Sequence, residues 1–152
     1  MIPKTGWRGF RSILCPVDFS GPSRAALRHA AAIARRDRAT LVVLYVNDPL
    51  LVASAAAALN DRQVVERSAR GLTAFIARAI AARARAKLRV TPHASIGRAS
   101  AEILNEARRR RSDLIVMGTH GISGANRLLM GSTTLSVLMQ TTVPVLAVPP
   151  PR

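Results

Sequence analysis

Short apolar runs alternate along this chain with stretches of helical period, and that alternation restricts the fold more than any other feature. Ser12 to Asp18 is an apolar run closed by the turn-forming Ser20-Gly21-Pro22, the pattern of a buried strand. Pro22 and Ser23 then open a helix in which Leu27, Ala30, Ala31 and Ala34 fall on one face, with Arg24, Arg28 and Arg35 on another. Ala39 to Val46 is nearly all apolar and rich in β-branched residues, which reads as a strand buried on both faces, the mark of a parallel sheet.

The same alternation continues to the C-terminus. Asp61 to about Ala86 has helical spacing, with Val65, Ser68, Leu72, Phe75, Ile76 and Ala79 on one stripe. Leu88 to Ser95 alternates and stops at Gly97, which predicts a strand nearer a sheet edge. Ala99 to Arg110 predicts a helix with Glu102 in its first turn and arginines in its last, as the helix dipole favours. Leu114 to Met117 forms a fourth strand, Ser132 to Gln140 a fourth helix, and Pro144 to Val148 a fifth strand. The predicted class is α/β: an open, doubly wound, parallel five-stranded sheet with helices on both faces.

The chain has 152 residues, and a length of this order buries about two-thirds of its unfolded surface without metals or disulfides. Its 23 Lys+Arg against 8 Asp+Glu give +15, almost all from arginine in an alanine-rich background, a bias that a GC-rich genome produces. Hydrophobic content of 49% excludes disorder, so the charge decorates a folded surface. The longest weakly polar run, Leu50 to Leu59, is half of the ~20 residues a membrane span needs. Residues 1–11 have no apolar signal core and contain Pro3, Gly6 and Gly9, so a flexible leader is expected there. The lone Cys15 leaves no internal disulfide and fits a reducing compartment, so a cytoplasmic location is expected.

In an open α/β sheet, ligands sit outside the carboxyl ends of the strands. Two segments follow strands in this way: Pro16-Val17-Asp18-Phe19-Ser20, and the stretch from Gly118 to Thr134 with the spacing Gly118-x2-Gly121-x9-Gly131-Ser132. Glycines admit an anion close to backbone N–H groups, and Gly131-Ser132 opens a helix whose N-terminus attracts phosphate. The alternative for such a turn is tight packing alone. Neither a Walker A loop nor a GxGxxG opening is present.

These two segments, with the terminal Pro144-Val145-Leu146-Ala147-Val148, resemble the universal stress protein family, in particular its ATP-binding members, over roughly residues 12 to 148. The resemblance implies a single domain over 12–152 with the adenine nucleotide alpha hydrolase-like, Rossmann-like fold. It implies that Asp18 lies near adenine, with Pro16 and Val17 lining base and ribose and Val46 meeting adenine through its backbone. It places Gly118, Gly121, Gly131 and Ser132 around ribose and phosphates, flanked by Met117 and Thr133. It implies ATP or another adenine nucleotide as ligand, with any magnesium held through the phosphates, and a homodimer through Val143 to Val148. Ile122 departs from the family by replacing a basic or polar residue beside the phosphates.

Taken by their residue types alone, several of these positions have plainer readings. Asp18 suits a turn carboxylate, His120 a hydrogen-bonded loop residue, and Tyr45 a core residue, whereas Arg127 is equally suited to neutralising phosphate or to solvent. The apolar run from Leu50 to Leu59 fits either a lid or an interface. The function expected is a nucleotide-binding stress-response or signalling module. A slow ATPase is the first alternative, set back by a loop without lysine or paired carboxylates. A basic nucleic-acid-associated protein is the second, set back by 3% aromatics and by Arg108 to Arg111 reading as a solvated helix end. Neither a membrane nor a nucleic-acid partner is expected from these patterns.

Overall fold

The computed structural model describes residues 6–58, 61–120 and 129–151, with the side chains of residues 61 and 62 left aside. Its strands are β1 (Ser12–Val17), β2 (Thr40–Asn47), β3 (Arg89–Ile96), β4 (Leu114–Gly118) and β5 (Val145–Val148). All pair in parallel, in the order β3-β2-β1-β4-β5. The order reverses between β1 and β4, which opens a crevice at their carboxyl ends. The strand expected near an edge, β3, is an edge, and it carries Pro92, whose missing N–H an edge tolerates.

Alternation along the central strands divides the core into two layers. Ile13, Cys15 and Val17 of β1 join Leu41 and Val43 of β2 under the helices α1 (Gly21–Asp37) and α3 (Asp61–Ala79). Leu14, Val42 and Leu44 turn the other way, to Ile103 and Val137 of α5 (Ala99–Arg109) and α6 (Ser132–Gln140). Each fully buried Leu, Ile or Val contributes about 1.5–3 kcal/mol, so two-sided burial of β1, β2 and β4 fixes the register firmly. Burial raises the Cys15 thiol well above its usual range and keeps it neutral.

The long helix expected from Asp61 to Ala86 is two elements. α3 stops at Ala79 and a short α4 spans Ala82–Arg85. Ala81 leaves the helical conformation (φ −55°, ψ 143°), and the carbonyls freed at the break are taken up: Arg28 Nε donates to Ala79 O at 3.3 Å and Arg85 Nη1 to Ile80 O at 3.1 Å. Before α3 stands a further helix, α2 (Pro49–Ala58), in the run read as lid or interface. Asp48 Oδ1 accepts from Leu50 N at 2.8 Å and starts it, and no residue of α2 is buried. Leu59 lies outside the described residues. Among the described residues no helix is long and apolar enough to cross a membrane.

At the amino ends of the strands the chain is tied by carboxylates. Asp113 accepts from the N–H groups of Arg11 and Ser12 at 2.9 and 3.0 Å. Asp37 accepts from Phe10 N at 2.9 Å, so the end of the expected leader is held against α1.

Candidate functional site

The crevice at the β1–β4 switch point is a cavity of about 490 Å³. One wall comes from the end of β1, where Pro16, Val17 and Asp18 stand, and from Val46 at the end of β2. The opposite wall is Met117 and Gly118 at the end of β4, with Gly131, Ser132 and Thr133 at the start of α6. Nine of the ten residues expected at a site therefore line one cavity; Gly121 lies outside the described residues, as do Ile122 and Arg127.

The strongest polar feature of this cavity is a pair of open helix N-termini. At α6, Gly131 occupies the N-cap position and no side chain among the described residues caps the first turn. At α5, Arg98 occupies it, again without a side-chain cap, and Ala99 borders the cavity. A helix start leaves four N–H groups without intrahelical acceptors and carries about half a positive charge. By contrast, α1 is closed by Ser20, whose hydroxyl accepts from Ser23 N at 3.2 Å. Two anchors hold α6 at the sheet: Thr134 Oγ1 donates to Gly118 O at 2.8 Å, and Gly131 N to Thr119 O at 2.7 Å. A Cβ on Gly118 would sit 3.2 Å from the His120 carbonyl oxygen and 3.4 Å from that of Pro22, so glycine lets β4, α1 and the loop converge.

Asp18 shapes the turn and borders the cavity. Its Oδ1 accepts from Ser20 N at 3.1 Å and from the Ser20 hydroxyl. Phe19 follows at φ 65°, a left-handed conformation that costs a bulky residue roughly 1–2 kcal/mol. Aromatic contact offsets that cost: Phe19 stacks on Tyr45 with centroids 4.4 Å apart and meets the edge of Phe75 at 5.4 Å. Tyr45 accordingly packs against the core and borders the cavity as well.

His120 is hydrogen-bonded, as a loop histidine should be, through Nδ1 to Thr119 Oγ1 at 2.7 Å. Its buried Nε2 has no hydrogen-bond partner among the described residues, and the residue borders the cavity. Ser23, Asp48 and Thr134 also line it without having been singled out. The strand-end rule could have found Asp48, two residues past Val46, and Thr134 lies in the first turn of the helix that Gly131 opens. Leu44 and Ile103 form apolar lining that no local pattern marks.

A family model for the universal stress protein family matches residues 9–149, nearly the whole chain. The chain belongs to the universal stress protein family. Universal stress protein MJ0531 of Methanocaldococcus jannaschii is 31% identical over 157 residues, spanning 99% of this chain and 89% of its own. Among solved structures, universal stress protein UspA from Lactobacillus plantarum superposes with a TM-score of 0.71 at 28% identity, covering 92% of this chain and 98% of that one. A universal stress protein solved in complex with cAMP shares the fold at a TM-score of 0.67 and 21% identity, covering 94% and 99%. So does one from Archaeoglobus fulgidus in complex with dAMP, at 0.64 and 18%, covering 93% and 99%. The universal stress protein domain here is thus an all-parallel, Rossmann-like α/β sheet.

Proposed function

We propose that the cavity binds an adenine nucleotide, ATP foremost, and that the protein works as a nucleotide-responsive stress or signalling module. The observation that carries this reading is the pair of uncapped helix N-termini, at α5 and α6, bordering one cavity at the switch point of a parallel sheet. The cavity volume of about 490 Å³ lies within the range of cofactor sites, roughly 300–1,000 Å³. The cAMP and dAMP complexes of two family members support an adenine ligand.

In this reading Pro16, Val17 and the Val46 backbone hold the base, and Asp18 accepts from its exocyclic amine. Gly118 and Gly121 let the ribose and phosphates approach the backbone, Gly131, its own N–H held by Thr119 O, turns the N-terminus of α6 toward them, and the hydroxyls of Ser132 and Thr133 add donors at the start of α6. His120 Nε2, without a partner among the described residues, gives the phosphate end one further nitrogen. Any magnesium is carried by the phosphates. The chemistry is retention of the nucleotide, and the edge strand β5 pairs two copies.

The test is thermal unfolding with ATP, ADP, AMP, cAMP and GTP. A ligand at about 100 times its Kd adds about 2.7 kcal/mol of stability, a shift of several degrees for a domain of this size. Adenine nucleotides should raise Tm and GTP should not. Gly131→Val places a branched side chain where the phosphates approach and should abolish the shift with the unliganded Tm nearly unchanged. The absence of a shift with every adenine nucleotide refutes the reading, and phosphate release over hours separates a binder from an ATPase.

A further inference from the structure

The fold collects the arginines that are scattered along the sequence onto one pole, opposite the nucleotide cavity. Helices α1, α3 and α5 run from the carboxyl ends of the strands back to their amino ends, so their last turns meet there. Hydrogen bonds confirm the gathering. Arg89 Nη2 donates to Arg38 O at 2.7 Å, Ser12 Oγ to Arg110 O at 3.3 Å, and Thr40 N to Arg11 O at 2.9 Å.

From α1 the pole receives Arg35, Arg36 and Arg38. From the region of α3 and α4 it receives Arg78, Arg83, Arg85 and Lys87. The α5 end adds Arg108 to Arg111, and the strand starts add Arg8, Arg11 and Arg89. That is fourteen of the 23 basic residues, all exposed except the half-buried Arg85, against three acids.

Each acid is already engaged. Asp37 binds Arg36, Asp113 binds two backbone N–H groups, and Glu106 is buried between Arg109 at 3.0 Å and Arg110 at 3.1 Å, with His93 at 3.5 Å. The net charge of the pole is 14 − 3 = +11 of the total +15. The C-termini of α1, α3, α5 and α6 offset about 2 charges, far short of that excess.

We propose that this pole is a sequence-independent binding surface for the phosphate backbone of nucleic acid. Duplex DNA carries about one charge per 1.7 Å of axis, so a patch of this charge can meet several phosphates at once. The cations are arginine with the one exception of Lys87, and the guanidinium fork matches phosphate oxygens in pairs. Among the described residues, the large exposed apolar side chains at this end are Trp7 and, in the last turn of α6, Leu138 and Met139; they are few beside fourteen cations, which favours nucleic acid over an anionic membrane. Trp7 is 74% exposed, packs edge-on to Phe10 at 4.9 Å, and is the one tryptophan of the chain. It reports contact at the pole directly.

The experiment titrates the full chain into a fluorescein-labelled 20-bp duplex of random sequence between 50 and 200 mM NaCl, reading anisotropy and Trp7 emission. With six to ten phosphate contacts, affinity should fall about 10³–10⁵-fold over that range, with a log–log slope near −5 to −9. Nucleic acid should quench Trp7. The combined variant Arg35→Gln, Arg78→Gln, Arg83→Gln, Arg108→Gln should flatten the slope by about 3 to 4. Arg67→Gln with Arg70→Gln, on exposed positions of α3 away from the pole, should leave the slope within about 1 of wild type.

Circular dichroism confirms that each variant is folded; should the combined variant fail, Arg83→Gln with Lys87→Gln is read in its place, with a flattening of about 2. No binding at 50 mM salt overturns the proposal, as does equal loss in the Arg67/Arg70 control. Tighter binding to phosphatidylglycerol vesicles than to duplex, with a blue-shifted Trp7, overturns it in favour of a membrane.

Discussion

Asp37 gathers three donors at the end of α1: Arg36 Nε at 2.6 Å, Arg36 Nη2 at 3.0 Å and Phe10 N at 2.9 Å. The Arg36 guanidinium, and after it the Phe10 N–H, hold its carboxyl down to about 2, below the usual range. Because the folded value is the lower one, the stabilisation is complete above the unfolded value of about 3.9 and is lost as pH falls toward 2. Arg36 is largely exposed, so the ion pair itself contributes little; the bond to Phe10 and the positioning of residues 9–11 matter more. Gly9 presses on this carboxylate, since a Cβ there would lie 2.8 Å from its Cγ at φ +78°. Asp37→Asn should cost about 1–2 kcal/mol at pH 7 and almost nothing below pH 2. Urea unfolding of both proteins at pH 7, 4 and 2.5 measures this, and a constant difference across the series refutes it.

At the scale of elements, β5 and α6 form the edge at which a second copy is expected. Among the described residues β5 pairs only with β4, and its other edge offers backbone groups to a partner strand. Leu135, Leu138, Met139 and Leu146 are exposed on these two elements, Met139 by 79%. Leu146→Lys puts a charge on that edge and should weaken self-association about tenfold, roughly 1.4 kcal/mol, by sedimentation equilibrium. A monomer at all concentrations in the unmutated protein sinks the expectation.

The elements that sequence periodicity located best are those with a one-sided or two-sided apolar pattern. In α1, Leu27, Ala30, Ala31 and Ala34 are all buried as the spacing required, and the tetrad Leu41–Leu44 marks β2. Periodicity could not see the break at Ala79, because Ala, Arg and Ile suit a helix; the break is stabilised by Arg28, which lies 51 residues away. Nor could it place α2, whose uniformly apolar residues have no face. The glycine spacing pointed to the cavity wall at Gly118 and at Gly131 to Thr133, since glycine suits close backbone approach there. The lining from Leu44 and Ile103 has only core-like residues and was invisible.

At the scale of the whole molecule, the charge divides between two ends. A run of four arginines looks like a solvated helix end when read alone, but the topology sets it beside the ends of two other helices. The rest of the chain carries the remaining +4, with Asp18 and Asp48 in the cavity lining itself. β1 has six residues, so about 20 Å of strand separates the basic pole from the cavity.

At 0.15 M salt the Debye length is about 8 Å, and the pole's field is screened before it reaches a bound nucleotide; at 0.01 M it is about 30 Å, longer than the separation. Nucleotide affinity should therefore be the same within about twofold in the Arg35/Arg78/Arg83/Arg108→Gln variant and the wild type at 0.15 M. At 0.01 M the variant should bind ATP more weakly, and AMP less so because it carries fewer charges. Calorimetric titration at both salts decides the matter. Equal affinity at both would mean that the phosphates are held by local N–H groups alone, whereas a loss at 0.15 M would mean that the two ends communicate through the fold and not through the field.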